Sequence, residues 1–370
     1  MTAVHPTPSG LTPRALKFEA LAQELRRGIA AGSWPLGSLL PTEKQLVEST
    51  GYSLSTVRRA VDVLVDEGLI LRRQGSGMYV SSASRQRTEQ RTIGVLIPDT
   101  RLYFPTVLQG IEAGLSGSGT SIALATSQYD SRVEQEAIAR FVESGVDGLL
   151  ITPIISDDAD PGALLRRLES IPIPVVMLER RIRSLGYFDP TEYVCSNHEA
   201  GAFEGVSHLH RLGHRRIALA LRADSAPSSG VRRGYEASVP HLEGMVSTIV
   251  SRTSAEWLQT HADDVLQEMV DGSCTAALVF GDREATLLEV AAQRRGLRVP
   301  EDLAIVSYDD EVADVAPVPL TAVSPAKHRI GRMAAALLLT RITEGDQSPV
   351  QQISIVPRLT IRDSCGARSR

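Results

Sequence analysis

The chain has 370 residues, 42% of them apolar, which is too much for one ordinary core and enough for two or three domains. Three scattered cysteines, Cys195, Cys274 and Cys365, form no CxxC pair, and no apolar run has signal-peptide length or approaches the ~18 residues that cross a bilayer. A reducing, cytoplasmic setting without a membrane partner is therefore expected. The net charge of −5 divides unevenly: residues 1–92 hold twelve Lys/Arg against eight Asp/Glu, a net +4, and the remainder holds 27 against 36, a net −9. A mildly basic head on an acidic body fits contact with a polyanion at one end only.

In chain order, residues 1–15 read as a disordered tail. Leu16, Phe18, Leu21, Ala22, Leu25 and Ile29 then fall at helical spacing before Gly32, predicting a first amphipathic helix. After Trp34 to Gly37, Thr42 precedes Glu43, Lys44 and Gln45, a capping-box pattern that opens a short second helix ending at Gly51. Ser53 caps a third. In it Val57, Val61 and Leu64 share the inner face, while Leu54, Ser55, Arg58 and Arg59 stay outside near the start. Leu69 to Leu71 and Met78 to Val80 flank Arg72, Arg73, Gln74, Gly75, Ser76 and Gly77, which reads as a two-stranded wing whose glycines permit close approach to a phosphate. Residues 16–80 thus spell a winged helix-turn-helix, and DNA binding is the first functional expectation.

Residues 81–91 are polar and aperiodic, a linker that would span roughly 15–20 Å if flexible. Beyond it, candidate strands at 92–98, 121–126, 148–152, 174–178, 216–221, 245–250, 276–280 and 303–307 alternate with helical stretches such as 104–115, 133–144, 198–212 and 283–295. Apolar strands alternating with helices mean parallel sheets covered on both faces, an α/β body. Eight units exceed one comfortable sheet, so two lobes are expected, with a ligand between them at the strands' carboxyl ends.

Two resemblances cover nearly the whole chain. Residues 16–80 resemble the GntR family of winged-helix regulators through the block just described. Residues 92–364 resemble the LacI/GalR regulatory domain, a periplasmic-binding-protein-like fold, through Ile93 to Pro98, Gly145 to Leu149, Val175 to Arg180, His208 to Ile217, Arg298 to Asp302 with Ser307 to Asp310, and Arg358 to Ser364. Residues 365–370 are left as a tail. The combination is similar to the arabinose-type repressors, which implies a homodimeric transcription factor on a near-palindromic operator, released by a small sugar-like effector and needing no cofactor.

The resemblance implies base reading by Arg58 and phosphate contact by Lys44 and the wing, within a DNA-facing set of Lys44, Ser53, Leu54, Ser55, Thr56, Arg58, Arg59, Gln74, Gly75, Ser76 and Gly77. It implies an effector-facing set of Asp99, Tyr103, Phe104, Arg180, Asn197, Arg232, Asp282 and Asp309, alternating donors and acceptors as a polyhydroxylated ligand needs. Three positions depart from the pattern. Leu54 stands where family heads commonly carry Arg, and offers at most a thymine-methyl contact. Gly281 and Asp282 replace an Asn-Asp pair. Arg232 and Arg233 lie one or two residues closer to Gly234 than the family arginine, and one residue turns a helical side chain by about 100°. The ligand is therefore expected to differ from the family's common sugars.

Rival readings are weaker. His208, His210 and His214 have no acidic or thiol partner in the pattern, so no metal is expected. Tyr103, Phe104 and Trp257 suit a sugar face or a core equally. An aminotransferase-like body holding pyridoxal phosphate would need a Schiff-base lysine, and the body's one lysine, Lys327, instead opens a LacI-type late helix. A soluble sugar carrier is opposed by the added head. No enzyme is expected.

Overall fold

The computed structural model describes residues 13–30, 33–35, 37–66, 68–73, 76–81, 91–155, 160–183, 185, 189–257 and 261–367. They divide into two compact units, 1–90 and 91–370.

In the first unit, helix α1 (Pro13–Ala30) starts inside the segment expected to be a tail, because proline is tolerated in a first helical turn. Its buried face is Phe18, Leu21, Ala22 and Leu25. Trp34 lies against Gly28 so closely that a Cβ there would come within 2.5 Å of the indole. Helix α2 (Glu43–Thr50) is opened by the full capping box on Thr42 and closed by Gly51 at φ 70. Helix α3 (Leu54–Asp66) buries Val57, Ala60, Val61 and Leu64 completely. Strands β1 (Ile70–Arg73) and β2 (Gly77–Val80) pair antiparallel. The segment before α2 joins them, with Leu40 donating to Met78 and Val80 donating to Ser38. Leu40, Leu46, Ile70, Met78 and Val80 close this small core.

The second unit has two lobes of the same plan. The first lobe contains β3 (Thr92–Ile97), α4 (Tyr103–Leu115), β4 (Ser121–Thr126), α5 (Ser131–Glu143), β5 (Gly148–Ile151), α6 (Pro161–Glu169), β6 (Val175–Leu178) and β7 (Glu192–Ser196). The second contains α7 (His198–Arg211), β8 (Arg216–Arg222), α8 (Ser228–Ser238), β9 (Val246–Arg252), α9 (Ala262–Asp271), β10 (Ala276–Val279), α10 (Asp282–Arg294), β11 (Ala304–Tyr308) and β12 (Thr321–Ser324). The chain then returns as α11 (Lys327–Glu344) and β13 (Gln352–Ile355) in the first lobe and crosses once more to β14 (Arg358–Thr360) in the second. The sheets run β4-β3-β5-β6-β7-β13, all parallel, and β9-β8-β10-β11-β12-β14, parallel except for the last pair. The chain thus crosses between lobes three times, and each sheet places its switch point beside its first strand.

The expected mixed α/β class with two parallel-sheet lobes behind a winged helix-turn-helix is what the chain adopts. Strands β7, β12, β13 and β14 come in addition to the expected ones. β7 begins on a buried Glu192, whose carboxylate takes two 2.9 Å bonds from Arg341 of α11; a charge satisfied from 149 residues away leaves no local signal. The expected C-terminal tail also begins too early. Cys365 is 2% exposed and packs with its sulfur 3.3 Å from His208 and 3.1 Å from Thr321.

Helices α4 and α11 cross through reciprocal glycines. A Cβ at Gly110 would meet the His328 carbonyl oxygen at 2.0 Å, and one at Gly331 the Val107 carbonyl oxygen at 2.0 Å. Among the described residues no helix is long and apolar enough to cross a membrane.

Candidate functional site

On the head, α2, the start of α3 and the wing enclose a concave surface of about 850 Å³ lined by Lys44, Leu54, Arg58, Arg72, Arg73 and Gly77 among others. Lys44, Ser53 and Ser55 are exposed, and Leu54 is 43% exposed. Ser53 caps α3, its hydroxyl accepting from the Thr56 amide at 3.3 Å. Thr56 itself is buried, its hydroxyl 2.8 Å from that of Ser53. It builds the helix start and is not displayed on the outer face where it was expected. Arg58 extends from α3 with its Nε 2.8 Å from the Glu43 carboxylate, which also accepts from Arg72 at 3.0 Å. Such solvated pairs are worth little by themselves, so a phosphate or guanine edge can take the guanidinium over. Arg59 lays its guanidinium over the Phe18 ring at 4.3 Å, a cation–π packing role. Ser76 meets the Tyr79 hydroxyl at 2.8 Å, and Gly77 sits at φ +111, where glycine is needed. Gln74 and Gly75 lie outside the described residues. Arg72 and Arg73 belong to this surface as much as the residues named from sequence.

In the body, the carboxyl ends of the strands face a cleft with two connected chambers. The inner, about 80 Å³, is lined by Tyr103, Phe104, Tyr129, Arg222, Phe280 and Asp309. The outer, about 350 Å³, is lined by Arg181, Ile182, Arg183, Cys195, Ser229 and Arg233 among others. Glu179, Arg180, His198, Ala226 and Pro227 border both.

Glu179 follows β6 at φ +54. Its carboxylate accepts from the Tyr103 hydroxyl at 2.5 Å, the Ser196 amide at 2.8 Å and the Ser196 hydroxyl at 3.1 Å. Burial pushes both Glu179 and Tyr103 up. Arg180 donates to the Glu179 carbonyl at 2.8 Å, while its buried Nε has no partner among the described residues. Desolvation pulls this guanidinium down. His198 places Nδ1 3.2 Å from the Tyr308 hydroxyl and leaves a buried Nε2 without a partner among the described residues. Burial first, then Arg180, Arg183 and Arg181, hold it neutral, down to about 3. Asp309, at φ +92, is raised to about 7, by burial first and then by Asp282. Its carbonyl accepts from Lys327, which also pairs with Glu311.

Not every residue expected at the ligand lines these chambers. Asp282 accepts from the Ser307 hydroxyl at 2.7 Å and the Glu311 and Val312 amides at 2.5 and 3.1 Å. Its lone pairs are spent fixing the loop that carries Asp309. Asn197 caps α7 through the Ala200 amide. Arg232 points to Glu236 on the surface of α8 at 3.8 Å. Asp99 accepts from Tyr129 at 3.2 Å, and so orients a wall residue without lining the chamber. Tyr103 and Phe104 do line it. Trp257 is core, 2% exposed with its indole N–H donated to the Leu221 carbonyl. His208, His210 and His214 face three separate partners, Cys365, the Glu243 carbonyl and Thr275.

Sequence reasoning misses Glu179, His198, Tyr129, Phe280 and Arg222. Arg222 ends β8 with its guanidinium 3.3 Å from both Glu284 and Ser225 and 5.5 Å from the Phe280 ring. An arginine ending an apolar strand at the switch point is the signal that marks it. Gly281 stands at φ +107, and a Cβ there would fall 2.1 Å from a Glu284 carboxylate oxygen. The carboxylate of Glu284 thus fills the space over this glycine.

Residues 17–80 match the gntR family of bacterial regulatory proteins, and residues 206–365 match the periplasmic binding protein-like domain. The chain is 29% identical over 357 residues to an arabinose metabolism transcriptional repressor of Geobacillus stearothermophilus, covering 94% of this chain and 97% of the relative. It is 30% identical over 303 residues to an HTH-type transcriptional regulator in the aml 5' region of Streptomyces limosus, covering 77% and 82%. The crystal structure of a transcription regulator GntR from Chromobacterium violaceum superposes with a TM-score of 0.63 at 26% identity, covering 74% of this chain and 99% of that one.

Proposed function

The chain belongs to the HTH-type transcriptional regulators, with a gntR-family head joined to a periplasmic binding protein-like domain, and on that premise we propose that it is a homodimeric repressor released from its operator by a small polyhydroxylated effector held between the lobes. Members of this family are DNA-binding regulators and not enzymes, and the only lysine of the body, Lys327, is engaged by Glu311 and the Asp309 carbonyl. The observation that carries the effector reading is the cleft itself. It joins aromatic walls, Tyr103 and Phe280, to polar groups with unused bonding capacity, Arg180 Nε and His198 Nε2. Buried donors and acceptors left unpaired cost free energy until a ligand pairs them. The naming of the Geobacillus relative after arabinose metabolism agrees with a sugar-like ligand.

Dimerisation is supported by the exposed apolar side chains on one edge strand of each sheet, Leu124 of β4 at 48% and Val246 of β9 at 42%, since bare edges invite pairing. Two heads on one dimer read a near-palindromic operator whose half-sites lie about one DNA turn or a multiple apart. The protein acts where its operator is, in the cytoplasm.

The test is a band-shift with full-length protein and its own upstream DNA at low ionic strength, with and without a panel of sugars and sugar derivatives. Expected are a specific complex and its loss with at least one panel member; no complex under any of these conditions overturns the reading. Within it, Arg180→Ala abolishes release by that member, and release retained by the variant places the effector elsewhere.

A further inference from the structure

The charge around the outer chamber says which kind of polyhydroxylated molecule the cleft takes. Four guanidinia border it, those of Arg180, Arg181, Arg183 and Arg233. Three of them share one carboxylate: Glu199 meets Arg181 at 3.4 Å, Arg233 at 2.7 Å and Arg183 at closer range. Arg180 forms no side-chain ion pair among the described residues. The other carboxylates at the chamber are already engaged. Glu179 is buried and bonded to Tyr103 and Ser196, and Asp160 at the rim pairs with Arg166 at 3.2 Å. With Glu199 and Glu179 set against the four arginines, two positive charges are left over.

Two further observations point to an occupant. His198 is buried to more than nine-tenths, faces both chambers and has an Nε2 without a partner among the described residues. The 11-residue helix α8 (Ser228–Ser238) brings Ser229 and Gly230 of its first turn to the chamber wall, the end at which a helix favours an anion. Gly230 keeps the wall open: a Cβ there would lie 3.1 Å from His198 and 3.4 Å from the Arg183 guanidinium.

Size decides where the ligand sits. The inner chamber, about 80 Å³, is too small for a ligand that needs some 300 Å³ or more, whereas the outer chamber, about 350 Å³, meets that need. A ligand of this cleft therefore lies mainly among the arginines and reaches the aromatic walls of the inner chamber with one end only. We propose that the effector is an anionic polyhydroxylated molecule, a sugar acid or sugar phosphate, with its acid group against Arg180 and Arg183 and its hydroxyl end directed at the inner chamber. This deepens the effector reading and rests on it. Arg180, with an unused Nε–H, and Arg183, beside Gly230, are the forks positioned for an oxyanion.

The experiment is calorimetric titration of the full chain, at constant ionic strength, with matched trios from the pentose and hexose series: neutral aldose, the corresponding sugar acid, and the corresponding sugar phosphate. At least one charged member binds ten-fold or more tighter than its neutral aldose, and which one separates carboxylate from phosphate. Arg183→Gln and Arg180→Gln each reduce that preference to three-fold or less, and the melting transition of each ligand-free variant shows that it is folded. Equal affinity for the neutral aldose overturns the anionic proposal and leaves a sugar-controlled regulator standing. No binding by any charged member also overturns it, while the regulator reading is judged separately by the band-shift. Preference kept in both folded variants overturns the placement.

Discussion

Glu289 lies on α10 with no solvent exposure, one carboxylate oxygen accepting from the Val318 amide at 2.5 Å and the other without a partner among the described residues. Burial pushes it up to about 7. A carboxyl whose folded pKa lies above its unfolded one binds protons in the native state that the unfolded chain has released. Its contribution to stability is full below pH ~4 and is lost as pH rises to about 7. Glu289→Gln keeps the acceptor for Val318 and removes the titration. The variant should melt with wild type at pH 4 and above it at pH 8, by at most about 3 kcal/mol in stability; a pH-independent difference sinks the assignment.

Arg58 gives the residue-scale prediction for the head. Replacing it with Ala should cost ~1–3 kcal/mol on the specific operator, and the footprint should lose contrast at one base position per half-site. An unchanged affinity rejects Arg58 as a reader. Arg58 is legible in the sequence because it sits outside at the helix start, but its tether to Glu43 is not, since that pair joins α2 to α3 across 15 residues. Thr56 is misread for a related reason. Ser and Thr near a helix start are equally plausible as caps and as outward contacts, and only the folded helix start, with Thr56 buried and its hydroxyl 2.8 Å from that of Ser53, decides that Thr56 turns in.

At the scale of elements, what repeats locally is readable and what closes over distance is not. The Thr42 capping box and the Gly51 stop follow from partners three and four residues apart, and both stand where the sequence places them. Strands β7, β12, β13 and β14 are short and held by partners far along the chain, so no period announces them. The α4–α11 crossing belongs to the same class. Gly110 and Gly331 each face a backbone carbonyl of the other helix at a distance a methyl group cannot share. Gly331→Ala should push the helices apart and lower stability by ~1–3 kcal/mol, with Gly114→Ala, which faces Arg332 and Ala335 at 2.8–2.9 Å, costing less. Equal melting of Gly331→Ala and wild type means the helices slide freely and do not act as one body in the first lobe.

At the scale of the molecule, the split into a net +4 head and a net −9 body can be counted directly from the residues, and the two-lobed plan follows from the strand and helix alternation. The cleft is only half legible. Its members come from strand ends that periodicity does locate, but Asp282, Asn197 and Arg232 show that a position matched to a family need not keep the family's direction. Asp282 spends its acceptors on the 309–312 loop, and Arg222, which belongs to none of the matched motifs, fills part of the cleft wall.

Three crossings join the lobes, and an effector held between them, as proposed, favours whichever relative arrangement lets it touch both. It can change operator affinity only by its differential affinity for the body's conformations, typically ~1–3 kcal/mol, or about 5- to 150-fold. Thermodynamic linkage then fixes the reverse effect. Whatever factor the saturating effector takes from operator affinity, saturating operator must take from effector affinity. Measuring effector binding by calorimetry with and without a short operator duplex, and operator binding by fluorescence anisotropy with and without effector, gives the two factors independently. Equal factors are expected, and both should shrink together when Arg180 is replaced. Unequal factors would mean that a further step, such as a change of assembly state, takes part in release, and a two-conformation body would then no longer account for control.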